Sequence, residues 1–164
     1  AYLIAQHKVN TLVLVHNSEI MKNWVEDFEK FLQIDEDLPE YITPKGRHKR
    51  RKSVIGTLSG GRNTLGGLLD IAMLTSLGQD DDVNELVKNY GMVIMDECHH
   101  AGAAIAEDVL NAVSAKYVYG LTATPKRDDG QEQKIFMQFG SIRYRYTAKD
   151  RAMAQNVRHF CTNI

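Results

Sequence analysis

An apolar run that ends in two adjacent carboxylates constrains this chain more than any other feature. Residues 92–95 read Met-Val-Ile-Met and are followed at once by Asp96 and Glu97. Such a run is typical of a strand buried on both faces, as in a parallel sheet covered by helices. Ligands bind at the carboxyl ends of strands in open α/β sheets, so Asp96 could hold a Mg²⁺ and Glu97 could handle a water beside it. The alternative is an acidic pair that merely caps the helix predicted over residues 103–113.

A second strand with polar residues at its carboxyl end follows this predicted helix. Residues 117–121 are mainly apolar and lead into Thr-Ala-Thr-Pro, which contains Thr122 and Thr124. Strand, Asp-Glu-Cys-His, helix, strand and Thr-Ala-Thr-Pro, in that order, resemble motifs II and III of the superfamily-2 helicases and translocases. Within that group the chain is similar to DExH-type members related to the motor subunits of type III restriction enzymes. DEAD-box RNA helicases are less similar, since they would carry Asp at the position of His99.

This resemblance implies an α/β fold in which helices flank both faces of a mainly parallel sheet. Residues 1–146 would form part of the first RecA-like lobe of a P-loop NTPase, and residues 147–164 would begin the connection to a second lobe. The parent protein is then expected to be an ATP-dependent helicase or translocase that nucleic acid stimulates, with DNA favoured over RNA as the partner. ATP and Mg²⁺ would be its cofactors.

The resemblance also implies roles for the residues of the two motifs. Asp96 would bind Mg²⁺ through water, and Glu97 would orient or deprotonate the attacking water. His99, Thr122 and Thr124 would transmit the state of the nucleotide to the nucleic-acid groove.

Earlier segments resemble the nucleic-acid-binding motifs of the same family. Residues 11–16 form a predicted strand, after which Asn17 or Ser18 would cap a helix. The apolar positions of that helix are Ile20, Trp24, Val25, Phe28, Phe31 and Leu32. The candidate contacts to the nucleic-acid strand are His16, Asn17, Gly60, Gly61, Thr75 and Ser76. Ordinary helix caps and turns explain the same residues when each segment is taken alone.

No phosphate-binding loop is evident in the sequence. Gly60-Gly61 and Gly66-Gly67 bracket a short polar segment, but a P-loop needs a Gly-Lys dipeptide and the chain contains none. The family's P-loop would precede residue 1, and its arginine finger would lie beyond residue 164. We therefore expect the isolated chain to be an inactive fragment. A sheet that lacks the P-loop strand should be destabilised or should self-associate through an exposed edge.

Composition and charge bound the remaining possibilities. The chain has 164 residues, enough for one domain, and a net charge of −1 gives no global attraction to nucleic acid. Residues 45–52 concentrate Lys and Arg and could either touch phosphates or form a solvated loop. Asp80, Asp81 and Asp82 would cap a short helix over residues 83–88. No signal peptide and no long apolar span occur, so we expect a cytoplasmic protein without a membrane segment.

The two cysteines give no metal or disulfide signal. Cys98 and Cys161 offer neither a disulfide framework nor the paired spacing of a zinc site.

Two rival functions and one further strand are also expected. A degenerate lobe could act only as a nucleic-acid or protein binding module. An unrelated metal-dependent hydrolase could instead use Asp96 and Glu97 together with His99 and His100. Residues 141–146 alternate like a strand with one polar face.

Overall fold

A six-stranded, mostly parallel sheet organises the chain. The computed structural model describes residues 1–42, 46–51, 53–77, 83–102, 104–123, 132–147, 150 and 153. The strands are β1 (Thr11–Val15), β2 (Glu40–Ile42), β3 (His48–Arg50), β4 (Ile55–Ser59), β5 (Arg62–Asn63), β6 (Leu69–Met73), β7 (Met92–Met95) and β8 (Tyr117–Gly120). The helices are α1 (Tyr2–His7), α2 (Ser18–Phe31), α3 (Leu74–Leu77), α4 (Val83–Lys88), α5 (Ala104–Ala112) and α6 (Glu132–Phe139), with a short 3₁₀ helix over Cys98–Gly102.

The sheet order is β5-β4-β6-β1-β7-β8, and all of its pairings are parallel except the β4–β5 hairpin. Val13 of β1 pairs with Ile71 of β6 on one side and with Ile94 of β7 on the other. Parallel pairing brings the carboxyl ends of β1, β6, β7 and β8 to one edge of the sheet. The predicted α/β architecture is confirmed.

Helices cover both faces of the central strands, which is why those strands are mainly apolar. Leu12 and Leu14 of β1 face the cluster that receives α3, α4, α5 and α6. Val13 and Val15 face the opposite cluster, which α2 completes with Met21 and Phe28. All five residues of β1 are buried. Each buried aliphatic side chain contributes roughly 1.5–3 kcal/mol, so this central strand is a large part of the stability.

Of the two caps that the sequence predicted for α2, Asn17 and Ser18, the structure has Asn17. Its side-chain Oδ1 accepts a hydrogen bond of 2.8 Å from the backbone N–H of Ile20. The apolar face predicted for α2 is correct except at Phe31, whose side chain is 60% exposed. Phe31 is the last residue of the helix, and the next residue, Leu32, packs against the core instead.

Two expectations for the last strands were wrong. Strand β8 was expected to be buried, but each of its residues is only partly buried, because within the described residues β8 pairs on one side alone. Residues 141–146 form no strand, and all six are exposed. Their alternating pattern would produce a strand only if a neighbouring edge were available to hydrogen-bond with them.

Part of the basic run is one strand of a hairpin, which the sequence did not reveal. Strands β2 and β3 pair antiparallel, and Arg50 donates a 2.9 Å hydrogen bond to Glu40 across the pair. Arg47, His48, Lys49 and Arg50 are all exposed. Residues 45 and 52, at the ends of the run, lie outside the described residues, as do the aspartates at residues 80–82 and Cys161.

A buried carboxylate holds the loop between β5 and β6. Asp70 is fully buried, and it accepts hydrogen bonds from the backbone N–H groups of Gly66 and Gly67 and from the hydroxyl of Tyr90. Burial, the hydrogen bond to Asp70 and its negative charge together raise the pKa of Tyr90 well above its usual value. The amides of Gly66 and Gly67 therefore bind the protein's own carboxylate, in keeping with the rejection of a phosphate loop there.

Candidate functional site

Four hydrogen bonds donated by backbone N–H groups, one of them to a side chain, fix the turn that carries the two candidate catalytic acids. Asp96 follows β7 directly, and its N–H donates to the carbonyl of Leu14 at the end of β1, at 3.0 Å. The N–H of Cys98 donates to the carbonyl of Leu121 beyond β8, at 2.8 Å, and the N–H of His100 donates to the carbonyl of Glu97. The N–H of Glu97 itself donates to Asp96 Oδ1. The turn is thus attached to both neighbouring strands.

Glu97 occupies a left-handed backbone conformation, with a φ of 50°. Such a conformation costs of order 1 kcal/mol or more in a residue other than glycine, and it persists only where the surroundings impose it. Here the bonds of Asp96 and Cys98 to the neighbouring strands impose it. The consequence is that the Glu97 side chain leaves the strand end in a direction that a regular strand could not provide.

The Asp96 carboxylate is held through both of its oxygens. Oδ1 accepts the N–H of Glu97 at 2.9 Å, and Oδ2 accepts the indole Nε1–H of Trp24 at 2.7 Å. Each carboxylate oxygen has two acceptor sites, so one on each oxygen is left for water or a cation. The sequence indicated Trp24 only as an apolar position of α2. Its polar contact had no local signal, because 72 residues separate it from Asp96.

His99 lies between Glu97 and Thr122. Its Nδ1 is 3.1 Å from Glu97 Oε2 and 3.0 Å from Thr122 Oγ1. Glu97 Oε2 is buried and has no hydrogen bond of good geometry within the described part of the chain. The structure therefore brings together three of the predicted site residues at the carboxyl ends of β7 and β8. Thr124 lies outside the described residues.

His16 lies beside the same turn rather than apart from it. Its ring centroid is 5.0 Å from that of His100, which is 4.1 Å from that of His99. Because Asn17 Oδ1 receives the Ile20 N–H, the Asn17 amide nitrogen must donate to His16 Nε2, at 3.2 Å. That bond assigns the proton of a neutral His16 to Nδ1, a buried atom without a hydrogen-bond partner among the described residues.

The remaining candidates for nucleic-acid contact lie at the β4–β5 turn and at α3. Gly60 and Gly61 form this exposed turn with φ angles of 53° and 80°, where glycine carries no steric penalty. The N–H of Gly60 donates to Ser76 Oγ at 3.1 Å. Thr75 is exposed on α3, directly after β6. Gly60 and Ser76 are thus in contact, and the Ser76 hydroxyl keeps its proton for another acceptor.

The site fits the oxygen-rich surroundings that Mg²⁺ prefers. Asp96 and Glu97 supply carboxylate oxygens, and the buried Glu97 Oε2 has spare acceptor capacity. Burial, with a further contribution from the charges of Glu97 and Asp96, raises the pKa of the Cys98 thiol to about 11. A protonated thiol is a poor metal ligand. Within the part of the chain that the structure describes, no group of three or more His, Cys, Asp or Glu side chains is arranged to hold a metal. Nor is any helix there long and apolar enough to cross a membrane.

The chain is similar in sequence to known proteins. The profile of a family described as "Type III restriction enzyme, res subunit" matches residues 1–127. The chain is 27% identical over 150 residues to the DNA 3'-5' translocase XPB2 of Sulfurisphaera tokodaii, which covers 92% of this chain and 29% of that protein. It is 42% identical over 55 residues to the DNA repair helicase/translocase XPB-R of Trypanosoma brucei brucei, covering 34% of this chain and 7% of that protein.

A solved structure shows the same fold. The UvsW helicase from bacteriophage T4 superposes with a TM-score of 0.58 at 15% identity, over 84% of this chain and 45% of that one. The chain thus spans less than half the length of each of these proteins.

Proposed function

Because the chain belongs to the family of type III restriction enzyme res subunits, we propose that it is part of the ATP-hydrolysing lobe of a DNA helicase or translocase. The observation that carries the proposal is the meeting of Glu97, His99 and Thr122 beside Asp96 at one edge of a parallel sheet. That edge is where α/β proteins bind their ligands. DNA is preferred over RNA because XPB2 and XPB-R are both named for action on DNA.

The proposed mechanism uses the residues of the turn. Asp96 would hold Mg²⁺ through water, and the ion would supply charge neutralisation at the phosphates when it is bound. Glu97 would orient the attacking water and accept its proton at a carboxylate oxygen, since its side chain is partly exposed while Oε2 lies 3.1 Å from His99 Nδ1. His99 would keep Glu97 in place and relay its position to Thr122, and Thr124 would extend that relay.

The nucleic-acid strand that the motor moves would contact the candidate residues at the carboxyl ends of the sheet strands. The Ser76 hydroxyl and Thr75 hydroxyl would donate to phosphate oxygens, which are contacts that do not depend on base sequence. The exposed Gly60-Gly61 turn lets a backbone approach closely. Asn17 retains one N–H after its cap and its bond to His16, so Asn17 would donate to a phosphate and His16 would lie beside it.

An ATPase assay on the complete protein that contains this chain tests the proposal. Turnover would be measured without nucleic acid, with DNA and with RNA, for the wild type, Glu97→Gln and the control Glu26→Gln, an exposed residue of α2. We expect stimulation by DNA that Glu97→Gln abolishes and Glu26→Gln leaves intact. Equal turnover in the wild type and Glu97→Gln would refute the proposal.

The 164-residue chain alone should hydrolyse ATP negligibly. It has no Gly-Lys dipeptide to place an ammonium on the β- and γ-phosphates. In phosphoryl transfer an arginine finger alone contributes ~10³–10⁵ in rate. A second candidate function is a degenerate lobe that only binds nucleic acid or protein, and it would be favoured if the complete protein also lacked a P-loop. DNA binding by the complete protein without any ATP turnover would select that candidate.

We further propose that the outer edge of β8 pairs with another chain. Within the described residues its outward-facing backbone groups have no strand partner, and such edges recruit other strands. Sedimentation velocity of the purified chain would reveal dimers, and a monomer at all concentrations would exclude the pairing.

A further inference from the structure

We propose that Trp24 is a positioning residue: its indole N–H sets the orientation of the Asp96 carboxylate that would face the metal ion. The inference rests on the proposed function, because the consequence of the orientation is the affinity for the ion. It adds to the site a residue of α2, a helix outside the two motifs that contain Asp96 and Thr122.

The location of Trp24 explains how a helix residue reaches the strand end. Helix α2 begins just after β1 ends, and Trp24 lies within the first two turns of this helix. Long side chains in helices point back toward the helix N-terminus, which here is the edge of the sheet that carries Asp96. The resulting bond between Nε1 and Asp96 Oδ2 is 2.7 Å long, a short distance for an N–H donor to a carboxylate.

The indole is itself held by packing. Trp24 is partly buried against the cluster that contains Phe28, and the two rings meet edge to face with centroids 5.2 Å apart. A ring fixed in this way directs its N–H along one line. Together with the Glu97 N–H on Oδ1, it removes the freedom of the Asp96 carboxylate to rotate about its Cβ–Cγ bond.

The two bonds leave the carboxylate able to act. One acceptor site remains on each oxygen, so water or a cation can approach the face that the indole leaves open. Outer partners of metal-holding carboxylates have this role in general, and their loss typically lowers metal affinity by about 10–100-fold. Loss of the Trp24 N–H should therefore weaken metal binding without removing any ligand.

The single tryptophan of the chain makes the bond directly observable. A ¹⁵N-labelled sample gives one indole N–H signal, which must belong to Trp24. Asp96→Ala should move that signal upfield and speed its exchange with solvent, and Asp96→Asn should do so to a smaller extent. Asp27→Ala is the matched control, because Asp27 is an exposed carboxylate on α2, three residues after Trp24. An indole signal that responds no more to Asp96→Ala than to Asp27→Ala would overturn the inference.

Metal affinity is the second readout, with Mn²⁺ alone as a paramagnetic probe in place of Mg²⁺. In the wild type, Mn²⁺ should broaden the backbone amide signals of Asp96 and Glu97 first. In Trp24→Phe, which keeps a ring against Phe28, the same broadening should require about tenfold more Mn²⁺. Equal Mn²⁺ requirements in a folded Trp24→Phe would overturn the positioning role alone. No selective broadening in the wild type would instead contradict the metal role of Asp96 in the proposed function, and the positioning role with it. Should Trp24→Phe fail to fold, the Asp96 variants still decide whether the bond exists.

Discussion

Replacement of Tyr90 by Phe should destabilise the fold through a single hydrogen bond. The Tyr90 hydroxyl donates to Asp70 Oδ2 at 2.6 Å, and both residues are buried, with Tyr90 5% and Asp70 0% exposed. The substitution keeps the ring, so it leaves no large cavity. What it removes is a donor to a buried carboxylate whose other partners, the N–H groups of Gly66 and Gly67, stay in place.

The expected loss follows from the kind of bond. Hydrogen bonds to charged groups contribute about 1.5–3 kcal/mol, and an acceptor left short of donors in the interior keeps much of its desolvation cost. We expect Tyr90→Phe to lower the free energy of unfolding by about 1.5–3 kcal/mol. Urea denaturation followed by Trp24 fluorescence gives the measurement. Tyr144→Phe is the control, because Tyr144 is 80% exposed and its change should stay within about 0.5 kcal/mol.

The same bond predicts a dependence on pH. The pKa of Tyr90 is raised in the folded state, first by burial and then by Asp70. Because the folded-state pKa of Tyr90 is raised, its contribution to stability is fully present below the pKa of tyrosine in the unfolded chain, which is about 10. The contribution is lost progressively as the pH rises above that value. Wild-type stability should therefore fall above pH 10 more steeply than that of Tyr90→Phe. Parallel pH profiles, or a loss below about 0.5 kcal/mol at neutral pH, would refute the reasoning about Tyr90 and Asp70.

Three further predictions concern single positions. A Cβ at Gly120 would lie 2.8 Å from the Cys98 sulfur and 3.0 Å from the Phe139 ring, so Gly120→Ala should cost about 1–3 kcal/mol in urea denaturation, and an unchanged midpoint would contradict this. Asn17→Ala removes the cap on the Ile20 N–H and should cost about 1 kcal/mol, whereas Asn17→Ser should restore most of the loss. Cys98 is 3% exposed and its thiol pKa is raised to about 11. At pH 8 it should therefore react with a thiol reagent only after denaturant is added. Rapid labelling of Cys98 in the native protein would contradict this and would show that the turn opens.

The core of the fold was predictable from the sequence because its strands are buried on both faces. Residues 92–95 and 12–15 are continuous apolar runs, and both lie in strands. Local chemistry also gave the Asn17 cap. By contrast, the pattern of residues 141–146 was misleading, since alternation produces a strand only beside a free partner. The hairpin of β2 and β3 was missed because its basic residues pack against no core.

The site contacts between residues of recognisable motifs were predictable from the sequence, and the contacts between residues distant in the sequence and outside those motifs were not. The contact of His99 with Thr122 joins two motifs that the resemblance had already paired, although their coupling role stays a prediction. Trp24 and Asp96 are 72 residues apart, and Tyr90 and Asp70 are 20 apart. In each pair one partner looks from the sequence like an ordinary aromatic core residue. Only the folded chain shows that the ring also carries a donor aimed at a carboxylate.

The place of β1 in the middle of the sheet has a consequence for how the chain is made. Both strands that pair with β1, namely β6 and β7, come later in the sequence. Thr11 pairs with Met92, and at ~5–20 residues per second a ribosome needs on the order of 4–16 s to synthesise the stretch between them. For that time a fully buried strand has emerged without its complete set of partners. The nascent chain is then exposed to aggregation through that strand.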